Sequence, residues 1–256
     1  MISIIIPTKN ASKHIIRAVE SVISQSEKDI EIIIINDAST DDTAQVLADL
    51  QKKDNRIHII TNQKNVGPGI SRDIGIRQAA SDYIAFIDDD DEWVSKEKLA
   101  LQKKYLDEHP HVVIVGSAKN NFIREDGTPY PIHLDRQPQT DAEIRRSMLW
   151  RNPFITSSIL LKKDAYLQAG GFAPMYLAED YDLWMRMGQQ GVLANILECD
   201  INYMVREGSA STTRQQEMNR VVISLIKKYK DTYPFFFMSL IKGYLRLLVV
   251  YIKHLL

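Results

Sequence analysis

The residues of this sequence best suited to chemistry are carboxylates. Asp88, Asp89, Asp90 and Asp91 stand in an unbroken run, and like charges this close repel one another unless something positive holds them. A hard divalent cation such as Mg²⁺ or Mn²⁺ prefers oxygen ligands and would relieve that repulsion. Taken alone, the run also reads as a solvated acidic turn. Glu179 and Asp180 form a second acidic pair, placed at a helix start where carboxylates offset the exposed N–H groups. A carboxylate standing apart from a metal site is what a base-assisted displacement needs, because an acceptor hydroxyl releases its proton only as attack proceeds. Asp37 has two readings: a turn residue, or the acceptor for the imide N–H of a uracil framed by Thr8 and Asn10. Arg72 has two as well, a surface helix charge or a partner for phosphate or for the acidic run.

These residues need elements to bring them together. Ile4 to Ile6, Ile30 to Ile35, Arg56 to Thr61, Tyr83 to Ile87 and Val112 to Val115 are short apolar runs of the kind buried in a sheet. Between them lie helical patterns. The first has Ser12 as its expected cap, the second carries Val46, Leu47 and Leu50 inward, the third opens at Gly67-Pro68-Gly69, and the fourth spans 96–108. Alternation of strand and helix predicts an α/β fold, a mainly parallel central sheet with helices on both faces. Ligands on such sheets bind beyond the carboxyl ends of the strands. Thr8 to Asn10, Asn36 to Asp37 and Asp88 to Asp91 all fall at such ends and can converge on one crevice.

After Gly116 the alternation stops in a stretch with Gly127, Pro129, Pro131 and Pro138. A capping box at Thr140 to Glu143 predicts a helix to about Trp150. A strand is expected over Ile155 to Leu161, a short helix from Asp164 ended by Gly170-Gly171, a helix from Glu179, and strands at 192–197 and 201–205. The division read from this is 1–115 and 116–212 as two halves of one domain, with 213–256 as a helical segment.

Composition sets outer bounds. The 256 residues are 45% hydrophobic and 25% charged, with 32 Lys and Arg against 33 Asp and Glu, so the chain is globular and has no basic field of the kind nucleic-acid binding uses. Cys199 is the single cysteine, which excludes an internal disulfide. The N-terminus lacks a basic region and reads as a strand rather than a secretory signal, so a cytoplasmic location is expected. Residues 234–256 are strongly apolar, interrupted by Lys242, Arg246 and Lys253, which on a helix fall within roughly 40° of one another. A cation near the bilayer centre costs about 2.5 to 3.5 kcal/mol, which disfavours a membrane span. Two placements stay open: an interfacial helix on the cytoplasmic face of the inner membrane, or a helix packed on the domain or on a second subunit.

The motifs resemble those of family-two glycosyltransferases. The blocks are Ser3-Ile4-Ile5-Ile6-Pro7-Thr8-Lys9-Asn10, Ile34 to Thr43, Asn65-Val66-Gly67 with Ser71-Arg72-Asp73-Ile74-Gly75, the strand ending in Asp88 to Asp91, and Glu179-Asp180-Tyr181-Asp182-Leu183-Trp184. They occur in the family's order and spacing over about residues 1 to 210. The resemblance implies a GT-A fold and inverting transfer of a hexose or N-acetylhexosamine from a UDP-sugar to a saccharide acceptor, with Mn²⁺ or Mg²⁺. It implies Asp180 as catalytic base, Pro7, Thr8, Asn10 and Asp37 as the uridine pocket, and Arg72, Asp88 and Asp89 near the donor. Asp90, with Asp88, is implied as the metal site, and Glu179 and Trp184 as acceptor contacts.

The chain departs from the family's pattern at Lys9, where Tyr is common, and at Asn36, where Asp is frequent. At Arg206 the family often carries His. An arginine binds diphosphate but cannot ligate a metal, so the cation is expected on carboxylate and phosphate oxygens with Arg206 as a phosphate contact. The pathway expected is lipopolysaccharide, O-antigen or capsule synthesis on an acceptor carried by lipid. Two other readings remain at this level. A nucleotidyltransferase shares the sheet and the metal carboxylates, although Pro7 to Asn10 is not its Gly-rich loop. A non-catalytic nucleotide-sugar-binding protein is opposed by the presence of Asp88, Asp90 and Asp180 together.

Overall fold

A computed structural model of the chain describes residues 1–131, 137–175, 177–206 and 213–253. The aliphatic runs form β1 (Ile2–Thr8), β2 (Ile30–Asn36), β3 (Ile57–Thr61) and β4 (Tyr83–Phe86), parallel to one another in the order β3-β2-β1-β4. The sheet continues through β8 (Leu160–Lys162), antiparallel to both neighbours, to β6 (Val112–Ser117) and β9 (Val192–Ile196). Both faces are covered, which is why the strands are almost unbroken isoleucine. Ile5, Ile33, Ile35 and Phe86 belong to one core, while Ile4, Ile6, Ile32 and Ile34 belong to the other. The side-chain period of two in a strand divides neighbouring residues between the two layers.

The helices α1 (Ile15–Ile23), α2 (Thr43–Lys53), α3 (Pro68–Gln78) and α4 (Lys98–Glu108) connect these strands as expected. Ser12 does not cap α1. Its hydroxyl donates to Asp41 Oδ2 at 2.8 Å, and the helix starts at Ile15 without a side-chain cap. The capping box at Thr140 and Glu143 is formed and opens α5 (Asp141–Ser147).

The strand expected from Ile155 is shorter than its apolar pattern suggested. Thr156–Ser158 form a 3-10 turn, and β8 begins only at Leu160. Hydroxyl side chains compete for backbone groups, and Ser158 Oγ donates to Ile155 O at 2.7 Å. A second sheet also forms, unforeseen in the pattern, from β5 (Glu92–Trp93), β10 (Ile201–Met204) and β7 (Asn120–Ile123). Because β5 follows the Asp88 to Asp91 run directly, its antiparallel pairing with β10 carries Arg206 over that run.

After β8 come α6 (Lys163–Gln168), α7 (Glu179–Met187), α8 (Gln215–Lys228) and α9 (Phe236–Lys253). The first of the C-terminal pair is locked to α7. Buried Asp182 accepts from Arg186 Nε at 2.8 Å, Lys228 Nζ at 2.8 Å and Tyr229 OH at 2.9 Å. Leu225, Tyr229 and Tyr233 join the same core as β1 and β4. The last helix lies on α8 so closely that a Cβ at Gly243 would stand 2.9 Å from Ile223 Cγ1. Its other side is open, with Phe237 77%, Ile241 61% and Leu245 57% exposed. No helix among the described residues is long and apolar enough to cross a membrane.

Candidate active site

The carboxyl ends of β1, β2 and β4 open on a cavity of about 730 Å³. Pro7, Thr8 and Asp37 line one end of it, and Asp88, Asp89 and Asp90 follow, with Arg72, Glu179, Asp180 and Arg206 around them. Residues far apart in sequence thus share one space, as the placement of polar residues at strand ends predicted.

Asp37 sits just beyond β2 and is buried. Its Oδ1 accepts from Asn62 Nδ2 and Val66 N, both at 2.9 Å, and its Oδ2 from Gly67 N at 2.8 Å. Asp37 thus fixes the Asn65 to Gly67 turn and also lines the cavity. Asn10 is different. It adopts a left-handed conformation (φ 53), its Oδ1 accepts from Thr40 N at 2.8 Å, and it is absent from the cavity wall. Its role is to tie the β1 loop to the Ser39-Thr40 turn.

The acidic run divides by burial. Asp91 points inward, accepting from Met204 N at 2.8 Å and from Ser157 Oγ, so it joins the two sheets and does not line the cavity. Burial, followed by the charges of Asp90 and Asp88, pushes its carboxyl well above the usual range. Asp89 accepts from Lys9 N at 3.1 Å. Asp90 is bound by Arg206 Nε at 2.5 Å, and Arg206 Nη2 reaches Asp89 at 3.5 Å. Even so, burial pushes the Asp90 carboxyl up to about 6, because Arg206 does not offset burial and the neighbouring carboxylates.

Arg72 is the strap of the site. Its Nη2 donates to Asp88 Oδ1 at 2.5 Å and its Nη1 to Glu179 Oε1 at 3.2 Å. The helix that carries Arg72 comes close to the start of α7 because residue 69 is glycine: a Cβ there would meet Glu179 Cγ at 2.7 Å. Glu179 is buried, and burial together with Asp180 raises its carboxyl to about 7 against the pull of Arg72. Asp180 is held differently. Its Oδ2 accepts from Asn152 Nδ2 at 3.0 Å and Thr156 Oγ1 at 3.1 Å, and its Oδ1 from Tyr181 N at 2.7 Å. Neither Asn152 nor Thr156 announces that role by spacing, since both lie in irregular chain.

The acceptor role expected of Trp184 is corrected by its position. It is 0% exposed and packs edge-on against Phe154, with ring centroids 6.0 Å apart. α7 starts at the cavity and runs into the core, so Asp180 in its first turn faces the site and Trp184, one turn later, lies beneath it.

A resident cation has to fit this set. Among the described residues no group of three or more His, Cys, Asp and Glu side chains is arranged to hold a metal. The available donors are the hard oxygens of Asp88 and Asp90, beside carboxyls raised by uncompensated burial. That suits Mg²⁺ or Mn²⁺, which commonly take one or two carboxylates and complete their coordination with substrate phosphates.

Comparison with known proteins agrees with this architecture. The family model for glycosyl transferase family 2 matches residues 3–170. An uncharacterized glycosyltransferase of Haemophilus influenzae is 30% identical over 244 residues, covering 91% of this chain and 74% of that protein. The Escherichia coli UDP-Glc:alpha-D-GlcNAc-diphosphoundecaprenol beta-1,3-glucosyltransferase WfaP is 31% identical over 221 residues, covering 86% and 83%. Among solved structures, S. aureus TarS 1-349 in complex with UDP-GlcNAc superposes with a TM-score of 0.70 at 20% identity, covering 96% of this chain and 72% of that one. The fold is GT-A, and the chain belongs to glycosyl transferase family 2.

Proposed function

We propose that this glycosyltransferase moves a hexose or N-acetylhexosamine from a UDP-sugar to a hydroxyl of a saccharide carried on lipid, with inversion at the anomeric carbon. The observation that carries the reading is the placement of Asp180, held by Asn152 and Thr156, on the same cavity as Asp88 and Asp90. Pro7, Thr8 and Asp37 take the uracil end of the donor, and Arg206 turns from Asp90 to the diphosphate when the donor enters. Asp88 and Asp90 are the residues that would hold Mn²⁺ or Mg²⁺. When bound, that cation stabilises the charge developing on the leaving diphosphate.

Asp180 accepts the proton of the acceptor hydroxyl as its oxygen attacks. The new bond joins that oxygen to the anomeric carbon, the bond from the carbon to the diphosphate oxygen breaks, and UDP leaves with the electron pair. An α-linked donor gives a β-linked product. Asn152 and Thr156 keep the Asp180 carboxylate from rotating toward Arg72, and Arg72 keeps Asp88 facing the donor.

The pathway proposed is assembly of a bacterial surface polysaccharide, which the E. coli relative supports by acting on a diphosphoundecaprenol-linked sugar. The place proposed is the cytoplasmic face of the inner membrane. The open apolar side of α9 supports it, as an interfacial helix buries such a side among acyl chains. Screening a panel of nucleotide sugars for donor hydrolysis with Mn²⁺, beside thermal stabilisation by UDP, tests the donor assignment. Equal stabilisation by every nucleoside diphosphate would remove Asp37 from base recognition.

A further inference from the structure

With Trp184 in the core, an acceptor needs another wall to lie against, and the second sheet supplies one. Phe122 of β7 and Tyr203 of β10 are partners in the parallel pairing of those strands, so their side chains stand on one face of the sheet. The two rings lie 5.5 Å apart, tilted by 56°. Both residues are half-buried and both line the catalytic cavity. The strands beneath them are fixed, because Asn121 Nδ2 donates to Asn202 Oδ1 at 3.1 Å and Met204 N to Asp91 Oδ1 at 2.8 Å. Burial, then the charges of Asp91, Asp88, Asp90 and Asp180, raise the Tyr203 hydroxyl above its ordinary value. The hydroxyl therefore keeps its proton in the field of both the donor carboxylates and the base.

Gln137 adds an amide to this wall. Its N–H donates to Ala118 O at 3.1 Å, two residues ahead of β7, and the residue is 7% exposed where it lines the cavity. Its Oε1 is buried without a hydrogen-bond partner. A buried amide oxygen left unpaired costs free energy until a ligand or water satisfies it. Gln137 also stands, with Trp150 and Arg151, where the catalytic cavity opens on a second one of about 880 Å³. Phe122, Tyr203 and Gln137 are all uncharged. Such a set suits a neutral polyol ring, whose C–H face packs on an aromatic side chain while its hydroxyls pair with a few fixed polar groups.

We infer that Phe122, Tyr203 and Gln137 form the acceptor-sugar subsite, the aromatic pair taking the C–H face of the terminal pyranose and the Gln137 amide its hydroxyls. This rests on the glycosyl-transfer reading and assigns the residues that select the acceptor. The attacking hydroxyl is presented to Asp180, and the rest of the saccharide leaves through the second cavity.

Methyl glycosides of glucose, galactose, N-acetylglucosamine and N-acetylgalactosamine, in both anomers, are the probes. They are titrated into the protein loaded with UDP and Mn²⁺ and read by saturation-transfer NMR. At least one should bind, with saturation strongest on its ring C–H protons. Gln137→Leu and Tyr203→Leu should each weaken that probe about tenfold, the scale of one or two hydrogen bonds or one aromatic contact. Both variants should still be stabilised by UDP, which shows them folded; where one is not, Gln137→Asn or Tyr203→Phe takes its place with the same direction expected. Failure of every probe to bind, or unchanged affinity in either variant, would overturn the subsite. A loss of affinity for a UDP-sugar but not for UDP in the Tyr203 variant, with glycoside binding intact, would assign that ring to the donor sugar instead. Thermal stabilisation of the unaltered protein by UDP is measured alongside. Its absence overturns the donor reading and the subsite with it, whereas UDP stabilisation with unchanged glycoside binding overturns the subsite alone.

Discussion

Arg206 Nε stands 2.5 Å from Asp90 Oδ2, so a fixed positive charge occupies a carboxylate proposed to hold the cation. The pairing follows from the topology, since β10 pairs with the strand that leaves the acidic run. A guanidinium cannot share a metal with a carboxylate; the two compete for the same oxygen.

Competition of this kind is measurable. Replacing Arg206 with Gln frees Asp90 and should tighten Mn²⁺ binding to the nucleotide-free protein by about tenfold, the scale of one charge-assisted hydrogen bond. UDP affinity in the presence of Mn²⁺ should fall in the same variant, because the diphosphate loses a cation. Calorimetric titration of each ligand reads the two effects separately, and equal Mn²⁺ affinity in variant and parent would mean that Arg206 does not compete.

The proton-accepting role assigned to Asp180 predicts a hierarchy between it and the residues that hold it. Asp180→Asn should abolish transfer while UDP binding persists, with a loss of at least about a hundredfold in kcat. Asn152→Ala leaves the carboxylate in place with one donor fewer at Oδ2, so a fall of about tenfold in kcat with little change in the donor KM is expected. A larger loss for Asn152→Ala than for Asp180→Asn would reverse the roles.

Gly69 gives a steric test of the strap between α3 and α7. A Cβ at 69 would meet Glu179 Cγ at 2.7 Å, so Gly69→Ala must push back the first turn of α7 and with it Asp180. Overpacking of this size costs about 1 to 3 kcal/mol, and the displaced base should lower kcat further. Thermal melting and kcat are both expected to fall, and an unchanged kcat would show that α7 yields without moving Asp180.

Most of the parallel sheet was legible because its strands are two-sided and aliphatic, and because turn residues separate them. The converging strand ends followed from that, which is why Asp37, Asp88 and Asp90 were found as neighbours of one cavity. What was hidden depends on contacts between irregular segments. Nothing in the pattern around Thr156 distinguishes a 3-10 turn from a strand, and only the packed structure shows that its hydroxyl reaches Asp180. Trp184 misled for the opposite reason: it belongs to a functional motif, yet lies one turn too deep on the helix to touch a substrate. Lys242 of the α9 stripe lies over the Trp150 ring, a contact that no helical period reveals.

Lys98 carries a prediction for pH. Its side chain is fully buried, with Nζ donating to Gln102 Oε1 at 2.8 Å and lying 4.2 Å from the Trp93 ring centroid. Burial depresses its ammonium from 10.5 to about 7. A depressed folded-state value means that the unfolded chain binds more protons than the folded one between about 7 and 10.5. The contribution of Lys98 to stability therefore rises with pH through that window, is complete above the upper value and is lost as pH falls to the lower one. Each pH unit in the window corresponds to about 1.4 kcal/mol at most, and the attraction of the Trp93 face for a charged ammonium works against it. Lys98→Met removes the group with little change in volume. Its melting temperature should exceed that of the parent near neutral pH, and the gap should narrow steadily toward pH ~9.5. Parallel melting curves across that range would mean that the Trp93 face and Gln102 keep Lys98 charged inside the folded protein.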